Sequence, residues 1–242
     1  MKATLSDQRS ILDIQSFDFQ TSTLQNKAVT LPELALLSSL TIKAANARDL
    51  RIAAETEYSD VKRELSRAEG DVEQVVSRIT RNESRLSSGT AAAKELEQLQ
   101  HEIGTLGGRR AELEEVELEI MMRIDSIKER IADLSGQESQ LGAEITELEI
   151  KKANALAEID GQLLTITAER ASVVNSISPE LVALYEKIRA SNNGTGAAAL
   201  AGNQCKGCHL TINTIELQRI AALADDEVVR CEECRCLLVR ER

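Results

Sequence analysis

Leu113-Glu114-Glu115-Val116-Glu117-Leu118-Glu119-Ile120-Met121-Met122-Arg123-Ile124-Asp125-Ser126-Ile127-Lys128-Glu129-Arg130-Ile131-Ala132-Asp133-Leu134 sets apolar residues three and four apart, with charge between them. Extended from Leu96 to Ile166, alternating steps of three and four define 21 positions, 16 of them apolar; Arg110, Glu117, Glu138, Lys152 and Gln162 are the exceptions. A seam held over about ten heptads predicts a coiled coil, because only a partner helix buries so long and narrow a stripe. Val61, Leu65, Ala68, Val72, Val75, Ile79 and Leu86 repeat the steps upstream. Aromatic residues make up 2% of the chain and Trp is absent, so a large globular core is not expected.

Ser87-Ser88-Gly89-Thr90 breaks the pattern with turn formers, and Thr90 suits an N-cap. So short a connection makes the two helices antiparallel neighbours, with facing residue numbers summing to roughly 178. Thr30-Leu31-Pro32-Glu33 reads as a capping box, so a helix restarts there. Residues 5–28 read as a helix too, and residues 1–177 are expected to form one hairpin. Gly104, Gly107 and Gly108 interrupt the second helix, and the expected register sets Gly70 opposite Gly107 and Gly108. They mark either a close backbone approach, a tolerated weak spot or a hinge.

Two C-x-x-C pairs, Cys205-Lys206-Gly207-Cys208 and Cys231-Glu232-Glu233-Cys234, lie 22 residues apart. Four thiolates in two such knuckles suit one tetrahedral Zn2+, and a set closed by protein ligands is structural rather than catalytic. A disulfide reading needs an oxidising compartment, yet the N-terminus shows no apolar export segment, so a cytoplasmic location is expected. Haem attachment through Cys205-Lys206-Gly207-Cys208-His209 leaves Cys231 and Cys234 without a role. No run of about 18 apolar residues suggests a membrane span. Cys236 is a fifth cysteine that fills the core, lies exposed, or competes as a ligand if Cys234 is damaged.

Ser178-Pro179-Glu180 opens a short helix to about Ala190. Strands are expected at Ala197–Ala201, Val228–Arg230 and Leu237–Arg240, with a helix from Asn213 to about Leu223. The fold class is therefore mainly α: a long antiparallel coiled-coil hairpin over 1–177, turning near 87–90, then a short helix and small zinc ribbon over 178–242.

Pro179-Glu180-Leu181-Val182-Ala183-Leu184-Tyr185-Glu186-Lys187-Ile188-Arg189, C-x-x-C-H and C-x-x-C together resemble the bacterial C4-type zinc-ribbon family with an N-terminal coiled coil. That resemblance implies nucleic-acid-binding or transcription-associated adaptors, some tied to sigma factors. It carries Cys205, Cys208, Cys231 and Cys234 over as ligands and matches His209. Arg235-Cys236 replaces the family's Gly-Arg, so Arg235 is expected to bear a left-handed turn at some cost.

The net charge is −11, and residues 205–242 carry six basic against seven acidic side chains, or −1. Nucleic-acid binding normally needs a basic excess and stacking aromatics, so support for it is thin. A local patch of Lys206, Arg235, Arg240 and Arg242 is the exception to test. His101 is expected on an exposed helix face, and His209 beside the knuckle it supports. No phosphate loop or nucleophile elbow is present. The sequence thus reads as a non-enzymatic adaptor for a protein partner, with direct RNA or DNA binding through Lys206, His209, Arg235 and Arg240 as one alternative and a self-assembling coil as another.

Overall fold

A computed structural model of the chain describes residues 1–89 and 92–240. Its helices are α1 (Leu5–Val29), α2 (Pro32–Ser87), α3 (Ala93–Ser176), α4 (Pro179–Ser191) and α5 (Thr214–Ala222). Its strands are β1 (Ala197–Ala201), β2 (Gln204–Cys205), β3 (Val229–Arg230) and β4 (Leu237–Arg240). The expected mainly α architecture, a long helical hairpin with a small four-cysteine region after it, is the one observed. The expected cap Thr90 and the basic residue Arg242 lie outside the described residues.

Two compact units divide the chain, and the division does not fall at 177/178. Residues 1–34 and 150–242 form one unit, residues 35–149 the other. The physical reason is that α1 packs on the strands and on α4, as well as beside α3. Ile11 and Ile14 of α1 share a buried cluster with Ile177, Leu181, Tyr185, Ile188, Ala197 and Leu237. Gln15 locks this packing by accepting from the N–H groups of Gly196 (2.6 Å) and Ala197 (3.1 Å). Gly196 must be glycine, since a Cβ there would meet the Tyr185 ring at 2.5 Å.

The expected capping box at residues 30–33 does not form. The Thr30 hydroxyl instead donates to the Asn26 carbonyl at 2.8 Å and closes α1. Pro32 disfavours helical geometry at Leu31, so the chain breaks there and α2 starts at the proline. The expectation of no membrane-length apolar run also needs correction. Residues 5–87 contain one stretch long and apolar enough to cross a membrane by length and composition alone.

The sheet order is β2-β1-β4-β3, with β1 parallel to β4 and the outer pairs antiparallel. Parallel pairing of β1 with β4 needs a long crossover, supplied by the segment that carries α5. Asn213 caps α5 as expected, accepting from the Glu216 N–H at 2.8 Å. Ser178 precedes α4 without a side-chain cap.

Asp18 is the buried polar centre of this unit. It accepts from both Arg170 Nε (2.8 Å) and Arg170 Nη2 (3.2 Å) and from the Tyr185 hydroxyl (2.7 Å), and it forms an ion pair with Arg189 Nε at 3.1 Å. Glu186 pairs with the same two arginines. One carboxylate of α1 therefore ties α3 to α4. Burial first, and the Asp18 carboxylate second, push the Tyr185 phenol above its usual range, so it stays a donor. Removing the charge leaves two arginines, themselves largely covered, with Glu186 as their one shared carboxylate. Asp18→Asn is expected to destabilise this unit by about 3 kcal/mol, read as lost hydrogen-exchange protection along α4; protection equal to wild type would show that Glu186 suffices.

Within residues 35–149, Val61 and Ala68 of α2 are buried with Ile120, Ile124 and Ile127 of α3. Arg85–Glu95 and Arg78–Glu102 pair beside the turn, and each pair of numbers sums to 180. Glu64–Arg123 and Glu57–Arg130 sum to 187, and Arg51–Glu138 to 189. The expected register therefore fails away from the turn. Fourteen residue steps of α2, Glu64 to Arg78, face 21 of α3, Glu102 to Arg123. The extra heptad amounts to about 10 Å of helix, so α3 takes the longer path there.

Gly104, Gly107 and Gly108 lie inside that stretch, and the slip places Gly70 opposite residues beyond them. No atom lies within 4 Å of an added Cβ at any of the four, which rules out close backbone approach. What glycine contributes at these positions is freedom to bend, and the two readings left are a tolerated weak spot and a hinge. Replacing Gly104, Gly107 and Gly108 with Ala should raise the local opening free energy by about 2–3 kcal/mol, seen as slower amide exchange over 102–112. Unchanged exchange in the triple variant would sink the hinge.

Candidate metal centre

The two knuckles have the same backbone. The N–H of the residue after each pair donates to the carbonyl of the first cysteine, His209 to Cys205 at 2.8 Å and Arg235 to Cys231 at 3.0 Å. Each first cysteine donates to the carbonyl five residues on, Cys205 to Leu210 (3.1 Å) and Cys231 to Cys236 (3.0 Å). His209 and Arg235 close these turns in the left-handed region, at φ 61° and 64°. The cost expected at Arg235 is thus real, and His209 shares it. Gly207 seats the first knuckle on β1, where an added Cβ would lie 3.0 Å from Ala198 Cβ.

The sulfurs of Cys205, Cys208, Cys231 and Cys234 all lie within 4.8 Å of one another. The close pairs run between knuckles, Cys205 to Cys234 at 3.9 Å and Cys208 to Cys231 at 4.0 Å. A tetrahedral ion with metal–sulfur bonds of 2.3 Å wants sulfurs about 3.8 Å apart. The four residues therefore fit a metal ion, and such an ion would have no open coordination position. Ala198, Leu200, Ile220, Val229 and Leu238 bury the cluster from below.

Burial pushes the Cys234 thiol up to about 12, with the neighbouring Cys205 adding to the rise. Cys236 rises further, again mainly through burial. Without a cation these groups stay protonated at neutral pH, so a metal must displace protons to bind. Lowering the pH therefore favours the metal-free form. Affinity measured against a chelator should fall about tenfold or more per unit from pH 8 to pH 6. Stripping the metal should release amide protection in β1 and β4 while leaving residues 35–149 unchanged. A pH-independent affinity would contradict thiolate ligation.

Arg240 requires a correction. It is 7% exposed, and its guanidinium donates to the carbonyls of Ile220, Leu223, Ala224, Asp225 and Glu227 at 2.7–3.2 Å. It staples the segment after α5 to β4 and offers nothing to a partner. The signal was an arginine ending the apolar strand Leu237-Leu238-Val239. Lys206 and Arg235 are exposed, and Lys206 reaches Gln204 at 3.0 Å. His209 is exposed and contributes through its backbone rather than through the ring hydrogen bond expected of it. His101 is exposed on α3.

A long helical hairpin followed by a four-cysteine cluster defines the class. Residues 14–193 match the CT398-like coiled coil hairpin domain, and the chain belongs to that family. The match ends before the four cysteines. Uncharacterized protein Rv2229c of Mycobacterium tuberculosis (strain ATCC 25618 / H37Rv) is 36% identical over 244 residues, covering 99% of this chain and 98% of its own. A solved Mycobacterium smegmatis structure is 33% identical over 99% of this chain and 100% of its own, with a TM-score of 0.87. CT398 from Chlamydia trachomatis shares the fold at 18% identity and a TM-score of 0.68, with 98% of each chain covered.

Proposed function

We propose that the four cysteines hold one structural Zn2+ and that the protein is a non-enzymatic adaptor whose hairpin docks a protein partner. The closed thiolate set carries the first half of this reading, since it leaves the ion no position for water or substrate. Zinc suits four thiolates in a tetrahedron, and free thiols suit a reducing, cytoplasmic compartment.

Support for docking comes from α3. Leu118, Met121 and Met122 lie at helical spacing on its exposed side, Met122 being 73% exposed. Methionines adapt to a partner's shape, and Glu114, Glu115, Glu117 and Glu119 flank the stripe. A partner helix with an apolar face and a basic rim complements it. The family resemblance of the zinc end favours a component of the transcription or RNA machinery, such as a sigma factor. Direct binding to RNA or DNA has less support, because Arg240 is committed to internal carbonyls.

A crosslinked pull-down of the full chain, with and without nuclease, tests this reading. A discrete protein should survive nuclease and be lost with Leu118→Glu/Met122→Glu. Recovery of nucleic acid alone, weakened steeply by salt and by loss of Lys206 and Arg235, would replace it with the nucleic-acid reading.

A further inference from the structure

The knuckle geometry leaves a fifth sulfur inside the cluster. Cys236 is fully buried. Its Sγ lies 3.2 Å from Cys234 Sγ and 3.8 Å from Cys205 Sγ. Both approaches are closer than the 3.9 Å separating Cys205 from Cys234. Arg235 stands between the two cysteines at φ 64°, a turn that leaves both sulfurs on the same side. The matching position of the first knuckle is Leu210, which is 51% exposed. The knuckle backbone therefore does not require a buried side chain at that position.

We infer that Cys236 is a reserve metal ligand, able to replace Cys234 so that Cys205, Cys208, Cys231 and Cys236 hold the ion. This rests on the four-cysteine metal centre proposed above. Cys234 is the more accessible of the two sulfurs, and so the one first lost to alkylation or oxidation. With Cys236 beside it, the centre keeps four thiolates after that loss. The swap is a ligand exchange: the Cys236 thiol gives its proton to solvent and its sulfur occupies the position Cys234 vacates. The shift needed is on the scale of the 3.2 Å between the sulfurs, within reach of one side-chain rotation and a small displacement of the ion.

The test uses full-length chains titrated with cobalt(II), whose thiolate charge-transfer and d–d bands report the number of sulfur ligands, followed by displacement with zinc. Cys234→Ser, Cys234→Ala, Cys236→Ser, Cys205→Ser and the double variant Cys234→Ser/Cys236→Ser are compared with wild type. Cys234→Ser and Cys234→Ala should each bind one ion with a four-thiolate spectrum, weakened by no more than about hundredfold. Cys236→Ser should match wild type. The double variant should lose the fourth thiolate and bind far more weakly than either single variant.

A three-thiolate spectrum in both Cys234 variants, equal to that of the double variant, overturns the inference. So does failure of both to bind metal, as Cys205→Ser is expected to fail. The alanine variant separates a folding fault peculiar to a buried serine from a missing ligand. If wild type itself takes up neither cobalt nor zinc, the metal centre falls, and the reserve ligand falls with it.

Discussion

A single buried carboxylate organises the unit that carries the cysteines. Asp18 binds Arg170 of α3 with both oxygens and also receives Arg189 and Tyr185 of α4. Taking that charge out of water is costly, and the cost is offset only while all three partners are in place. The geometry of α1, α3 and α4 is therefore specified rather than merely allowed. Tyr185 passes the constraint on, since its ring occupies the space above Gly196 where β1 begins. β1 lies parallel to β4, which follows directly from the second knuckle.

The hairpin follows a different rule. Its seam is apolar and nearly continuous, so pairing follows from burial, and the short connection between α2 and α3 makes it antiparallel. Surface ion pairs such as Glu64–Arg123 add little energy but reveal the register. Along α3 the register gains a heptad over the stretch that holds three glycines. Alanine would fit at each of them, so the glycines are not there to relieve a clash. Helix propensity is given up where one helix must take a longer path than its partner.

At the cysteines the backbone does most of the positioning. Both knuckles repeat the same pair of hydrogen bonds and the same left-handed closing residue, although His209 and Arg235 share no chemistry. The strain at those residues is supported by the sheet, where β2 carries Cys205 and β3 leads directly into Cys231. Burial raises the Cys234 and Cys236 thiols, so cation and fold depend on one another. The fifth sulfur, packed against Cys234 and Cys205, belongs to the same cluster rather than to the surrounding apolar core.

Local patterns in the chain determined the element types, the hairpin and the pairing of the two C-x-x-C motifs. The heptad seam, Pro32, Pro179 and the cysteine spacing all act over a few residues and need no partner to be read. The left-handed residue at Arg235 was legible for the same reason. Only the tertiary structure decided what depends on distant residues. It turned Thr30 into the end of α1 and moved α1 into the unit with the cysteines. It shifted the register by a heptad, and it directed Arg240 inward to five carbonyls while leaving Lys206 outside. Asp18 and Tyr185 are 167 residues apart, and no periodicity links them. Their meeting depends on how the helices return to one another, and burial of that one charge then selects the single arrangement in which every donor is satisfied.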